Sequence, residues 1–97
     1  MVTPAVEHNS QHGISRVKSD LLAAFIRYAG LWLHRVERAP DGDFVFVFLD
    51  PEHECEQLLT EFLEHSGVSD ASALLQEFDF VRRQMKKLFK VEREEQD

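Results

Sequence analysis

The segment Leu31–Asp50, LWLHRVERAPDGDFVFVFLD, limits what this chain can fold into more than any other stretch. It reads as two β-strands around a polar turn, Ala39-Pro40-Asp41-Gly42, where Pro and Gly both suit a chain reversal. Strand side chains alternate, so Phe44, Phe46 and Phe48 point one way and Val45, Val47 and Leu49 the other. A strand that is apolar on both faces has to be covered on both faces. One hairpin and three helices are what the 97 residues predict, and they cover one face readily. The second face calls for another subunit or a partner protein.

The flanking sequence supplies the helices. The first begins at Ser15 or Ser19, either of which can cap it, and carries the stripe Val17, Leu21, Phe25, Tyr28, widened by Leu22, Ile26 and Ala29. Gly30 stands where a helix C-terminal glycine is expected. The strands follow, over about Leu31–Arg38 and Asp43–Leu49. Asp50-Pro51-Glu52 then predicts a second helix start, with Asp as cap and Pro at the first helical position. That helix runs to about Ser66, buries Cys55, Leu58, Leu59, Phe62 and Leu63, and stops at Gly67. Ser69 or Asp70 caps a third helix reaching about Val91, with Ala71, Leu74, Phe78, Val81, Met85 and Leu88 in heptad rhythm.

Residues 1–14, polar and aperiodic, read as a flexible tail; 15–91 form a single α+β domain; 92–97 are a charged tail. The predicted fold class is α+β in the order α-β-β-α-α, a two-stranded antiparallel hairpin packed on helices. Pairing of edge strands across a two-fold axis would extend it to a four-stranded sheet in a dimer.

Composition narrows the class of protein. A hydrophobic fraction of 43% with eight Phe argues for a folded core. The longest apolar runs, Leu21–Ile26 and Phe44–Leu49, are far shorter than the roughly 20 residues that span a bilayer, so no membrane role is expected. No secretory signal is visible, and the single Cys55 suits a reducing cytoplasm. The net charge of −7 is unevenly laid out. Eleven acidic residues and no Lys or Arg lie between Ala39 and Val81, and six basic residues lie between Arg82 and Arg93. Such asymmetry either steers partners or is neutralised within the chain.

No residue pattern points to catalysis, a metal or a cofactor. Cys55 and His53 are two apart on a helix and diverge, and the surrounding Glu52, Glu54 and Glu56 oppose a thiolate, so Cys55 reads as a buried structural residue. His8, His12, His34, His53 and His65 lack ligand spacing within one element. Asp50, Glu52, Glu54, Glu56, Glu61 and Glu64 read as a solvated helix face. The expected interface is Phe44, Phe46, Phe48, Phe78, Val81 and Met85, from the hairpin and third helix. Arg82, Arg83, Lys86, Lys87 and Lys90 are the candidate nucleic-acid contacts.

Gly30-Leu31, Leu33, Val36-Glu37-Arg38, Phe46, Phe48 and Asp50 form a pattern that weakly resembles a group of short uncharacterised bacterial domains. Many of those occur in mobile-element and phage-like settings; the resemblance covers about Leu21–Phe89 and implies no site residues. The same element order is similar to part of one variant of the KH RNA-binding fold. That variant carries Gly-x-x-Gly between its successive helices, where this chain has Ser66-Gly67-Val68-Ser69-Asp70. The expected function is a small acidic non-enzymatic protein-protein interaction module that self-associates, its partner being a second copy in a homodimer or another protein in a larger assembly. The alternatives are a nucleic-acid-associated regulator using the basic end of the last helix, or an acidic inhibitor that mimics nucleic-acid charge.

Overall fold

Both strands of the Leu31–Asp50 hairpin form, but they do not stand alone. The computed structural model describes residues 5–64 and 68–95 and has the element order β1 (Val6–Asn9), β2 (Ile14–Val17), α1 (Asp20–Tyr28), β3 (Trp32–Arg38), β4 (Phe44–Leu49), α2 (Cys55–Leu63), α3 (Ala71–Glu95). The four strands make one antiparallel sheet in the order β1-β2-β4-β3. The fold is α+β, with the extra strand pair supplied by the same chain rather than by a second subunit.

Two expectations are thereby corrected. The segment expected to be a flexible tail contains β1, and β2 takes residues expected to open the first helix. Their short runs pair Val6 with Val17 and His8 with Ser15, so the inward positions are half polar and carry no apolar alternation for a reader of sequence to find. At the other end α3 runs on through Glu95, past the expected Val91.

Local chemistry sets the remaining boundaries. The Ser19 hydroxyl accepts from the Leu22 amide, 3.2 Å, and starts α1. The helix ends in a paired reversal: the Gly30 amide donates to the Arg27 carbonyl and the Leu31 amide to the Ile26 carbonyl, with Gly30 at φ +107°. In the β3–β4 turn the Gly42 amide donates to the Ala39 carbonyl at 2.9 Å, and Gly42 takes φ +93°. Asp70 caps α3 through the Ala73 amide, and the Tyr28 hydroxyl receives the Ser69 and Asp70 amides, tying the end of α1 to the start of α3.

The three helices lie on one face of the sheet. α2 packs against β1, α1 against β2, and α3 against β3, so α1 sits between the other two. Val6, Val17, Phe46 and Phe48 from the strands meet Leu22, Ala23, Ala24, Ile26, Cys55 and Val81 from the helices in one core. Phe46 and Phe48 are each no more than 1% exposed. Truncating either to alanine costs about 3–5 kcal/mol in a typical core, a large share of a small domain's stability.

Candidate functional site

Among the described residues no helix lies on the second face of the sheet, and the register states what stands there. Ile14 pairs with Leu49 and Leu49 with Trp32, giving a transverse apolar row; Arg16, Val47 and Arg35 form the next row, and Val45 opposite Glu37 the one after. Val45 and Val47 are 3% and 0% exposed although neither belongs to the helix-side core. Charged side chains cover them. Arg16 on β2 reaches Glu37 on β3 at 3.0 Å, and Arg35 approaches the same carboxylate at 3.5 Å. Because β4 runs between β2 and β3, the Arg16–Glu37 pair crosses it on the face that Val45 and Val47 share. This answers how a strand apolar on both faces is satisfied within a single chain.

The covering stops short of the apolar row. Trp32 is 68% exposed and Leu49 42%, with Ile14 half-buried beside them. Trp32 alternates with Leu33, which packs on the core, so its outward position follows from strand geometry. The β3 register slips between Leu33 and Arg35, leaving His34 as an exposed extra residue at the edge of this surface. Sequence reasoning missed this row. The signal for it was the Ile14 strand, which supplies its third member and was assigned to the tail.

The expected interface fares differently. Phe46, Phe48 and Val81 are enclosed by the chain's own sheet and helices and have no surface left to offer. Phe44, Phe78 and Met85 are half-buried and pack on the same core. The heptad stripe of α3 is the face on which that helix packs against its own domain, because the sheet beneath it is twice as wide as expected. The Phe44 ring also lies under the Arg38 guanidinium, 4.0 Å from its centroid, and Arg38 in turn pairs with Glu92 at 3.0 Å.

The five basic candidates on α3 lie together on its outer side. Arg82, Arg83, Lys86, Lys87 and Lys90 are all exposed, and successive 100° steps place them within an arc of about 140° facing away from the core-facing Val81 and Met85. An open hollow of about 530 Å³ is lined by Asp79, Arg82, Arg83 and Lys86. Elsewhere the chain pairs its cations: Arg27 with Glu77, Lys18 with Asp41, Arg38 with Glu92. Among the described residues no carboxylate forms an ion pair with any of the five. Arg83 donates to the Asp79 backbone carbonyl, and Arg82 stands 5.7 Å from the centre of the Phe78 ring.

A third cluster is polar and buried. The Asp50 carboxylate, 1% exposed, accepts the Ser15 hydroxyl at 2.7 Å and the amides of Glu54 and Cys55 at 2.6 and 3.0 Å. His8 Nδ1 lies 3.0 Å from the Ser15 hydroxyl, and its ring stacks on that of His53 at 4.0 Å. Serine, histidine and aspartate together invite comparison with a nucleophilic triad, but the order is wrong. Ser15 sits between the other two, and it is fully buried. Asp50 belongs to this cluster and not to the solvated face expected of it, whereas Glu52, Glu54, Glu56 and Glu64 are exposed as expected.

Burial raises the Asp50 pKa, and the hydrogen bonds from Glu54, Ser15 and Cys55 outweigh it, leaving the group below its ordinary value. Burial, then the neighbouring Asp50 charge, push the Cys55 thiol up to about 12. Cys55 is therefore a packed, protonated thiol, as its surroundings in sequence predict. His53 adopts a left-handed conformation, φ +56°, between the Asp50 turn and α2, so the helix begins at Cys55 instead of at Pro51. His8 is on β1, His12 lies in the β1–β2 connection and His34 on β3; His65 lies outside the described residues. No group of His, Cys, Asp and Glu among the described residues could hold a metal ion, and no helix among them is long and apolar enough to cross a membrane. Comparison of the chain with protein-family models, with curated proteins and with solved structures yields no match.

Proposed function

We propose that the chain is a small non-enzymatic interaction module that self-associates through the helix-free face of its sheet. One observation carries this reading: the Ile14–Leu49–Trp32 row is left open where the rest of that face is roofed by ion pairs. A large exposed aromatic beside aliphatic neighbours is the usual centre of a protein contact. The surrounding side chains favour a second copy as the occupant. Arg16 and Arg35 stand against Glu7 and Glu37, so the rim is formally neutral and a strongly charged partner gains nothing from it. A cytoplasmic setting, where the lone Cys55 stays reduced, suits such a module.

Four strands spaced about 4.8 Å apart, two of four residues and two of six and seven, give a face of roughly 330 Å², well under the roughly 800 Å² per partner of stable complexes. The association is accordingly weak, micromolar or weaker. Light scattering across a wide concentration range tests it. The mass is expected to rise from 11.3 kDa towards twice that value, and Trp32→Ser is expected to keep it at the monomer. A monomer at every concentration, or a dimer indifferent to Trp32→Ser, would sink the reading.

A further inference from the structure

We infer that the outer side of α3 is a binding stripe for single-stranded nucleic acid, on a surface separate from the self-association face. Three observations point there. First, the charge is not taken up by ion pairs. Every other described Arg forms an ion pair except the tail-end Arg93, yet Arg82, Arg83, Lys86, Lys87 and Lys90 have none among the described residues. The two guanidiniums are steadied by uncharged groups, a backbone carbonyl and an aromatic ring, which leaves their charge free for an anion.

Second, the acidic surplus of the chain lies elsewhere. The exposed glutamates of α2 are separated from α3 by α1, about one helix diameter of 10 Å. That is about the Debye length at ordinary ionic strength, so the α2 glutamates reach α3 as a screened field and its own side chains weigh most there. No ion pair among the described residues joins the acidic segment of residues 39–81 to the basic segment of 82–93, and the total charge of −7 therefore misstates the local one.

Third, the stripe has the size and furniture for a strand and lacks those of a bilayer surface. From Arg82 to Lys90 it spans eight helical steps, about 12 Å, room for two or three phosphates of an extended strand. Phe89 is 50% exposed and lies on the stripe's border, one turn from Lys86, where a base can stack. A membrane surface needs a broad apolar face beside the cations, and on this helix that face is turned into the core. One carboxylate, Asp79, lines the hollow among the cations and opposes an anion there.

Fluorescence anisotropy with a labelled oligothymidylate and an oligouridylate, each about a dozen nucleotides long, tests the stripe at low salt. Binding is expected to weaken with salt at a log–log slope of about −2, the value for about three phosphates on a single strand. The double variant Arg82→Glu/Lys86→Glu is expected to lose at least about tenfold in affinity, while Asp79→Asn gains about two- to threefold. All three positions are exposed or line open space, and circular dichroism checks that the helices persist. Phe89→Ala is expected to weaken binding at constant salt slope, because stacking releases no counterion.

Several outcomes overturn the inference: no binding at low salt, binding unaffected by the double variant, or equal affinity for a duplex of the same length. Binding to vesicles rich in anionic lipid but not to the oligonucleotides would reassign the stripe to a membrane surface. If the double variant instead lowers the mass in light scattering, the stripe meets the acidic helix of another copy. Since Trp32→Ser reports on the sheet face alone, failure here leaves the self-association reading standing, and the reverse also holds.

Discussion

The Asp50 carboxylate takes hydrogen bonds from Ser15 on β2 and from the Glu54 and Cys55 amides at the head of α2, so one side chain at the end of β4 joins three elements. Asp50→Ala leaves the Glu54 and Cys55 amides unpaired and the Ser15 hydroxyl with His8 alone, and is expected to cost about 3 kcal/mol, read as a lower urea midpoint at neutral pH. Its folded pKa lies below the ordinary 3.8, so the unfolded chain binds the proton more readily. The stabilisation is full above that ordinary value and is lost as pH falls through the depressed one. Urea titrations on the acid side are therefore expected to show a steep loss below pH 3.8 that is blunted in Asp50→Asn. Were the two proteins equally acid-sensitive, Asp50 would not be the group responsible. Cys55 gives a companion expectation at the same scale. With its thiol fully buried and its pKa up at about 12, a thiol reagent at neutral pH should label it only as fast as the chain opens. Rapid labelling in the native state would contradict this placement.

At the level of elements, what could be read from the sequence follows physical lines. Gly30 as the end of α1 and Pro40–Gly42 as the β3–β4 turn were legible, and the starts of α1 and α3 were narrowed to Ser15 or Ser19 and to Ser69 or Asp70, of which Ser19 and Asp70 are the caps, because caps and turns are local chemistry. β1 and β2 were not legible. Each is four residues long, and their inward positions include His8 and Ser15, which pair with each other and, through the Ser15 hydroxyl, with Asp50, thirty-five residues beyond Ser15. A polar residue at a core position looks like a loop until its distant partner is known. The same gap explains the misplaced interface: without β1 and β2 the sheet appears too narrow to bury Phe46 and Phe48, and they are offered to a partner instead. The basic stripe of α3 was legible because it depends only on helical periodicity. Deleting residues 1–10, which removes β1, separates the two pictures. A flexible tail would be lost without consequence; the observed pairing of Val6 with Val17 predicts a urea midpoint lower by the equivalent of about 2 kcal/mol or more. It also turns β2 into a free edge, and so predicts stronger aggregation than that of the full chain, read by light scattering.

For the whole molecule, the layout is of two surfaces back to back: the open sheet face on one side of the core and the basic stripe on the far side of the helix layer. Self-association would leave the stripes of both copies accessible, and a dimer would present two of them to one strand. Linked sites raise apparent affinity when a ligand is long enough to reach both. The expected outcome is that a long oligonucleotide binds the wild-type protein more tightly than a short one, and that Trp32→Ser abolishes the difference while leaving short-oligonucleotide affinity unchanged. Trp32 is the only tryptophan, so its emission reports the sheet face without interference. In dilute protein it should be that of a solvated indole, moving to the blue as concentration rises and the row is covered. Oligonucleotide added to monomeric protein should not move it, because the stripe is on the opposite side. A blue shift on adding short oligonucleotide at dilutions where light scattering shows only monomer would place the strand on the sheet itself, and would join in one surface what the geometry keeps apart.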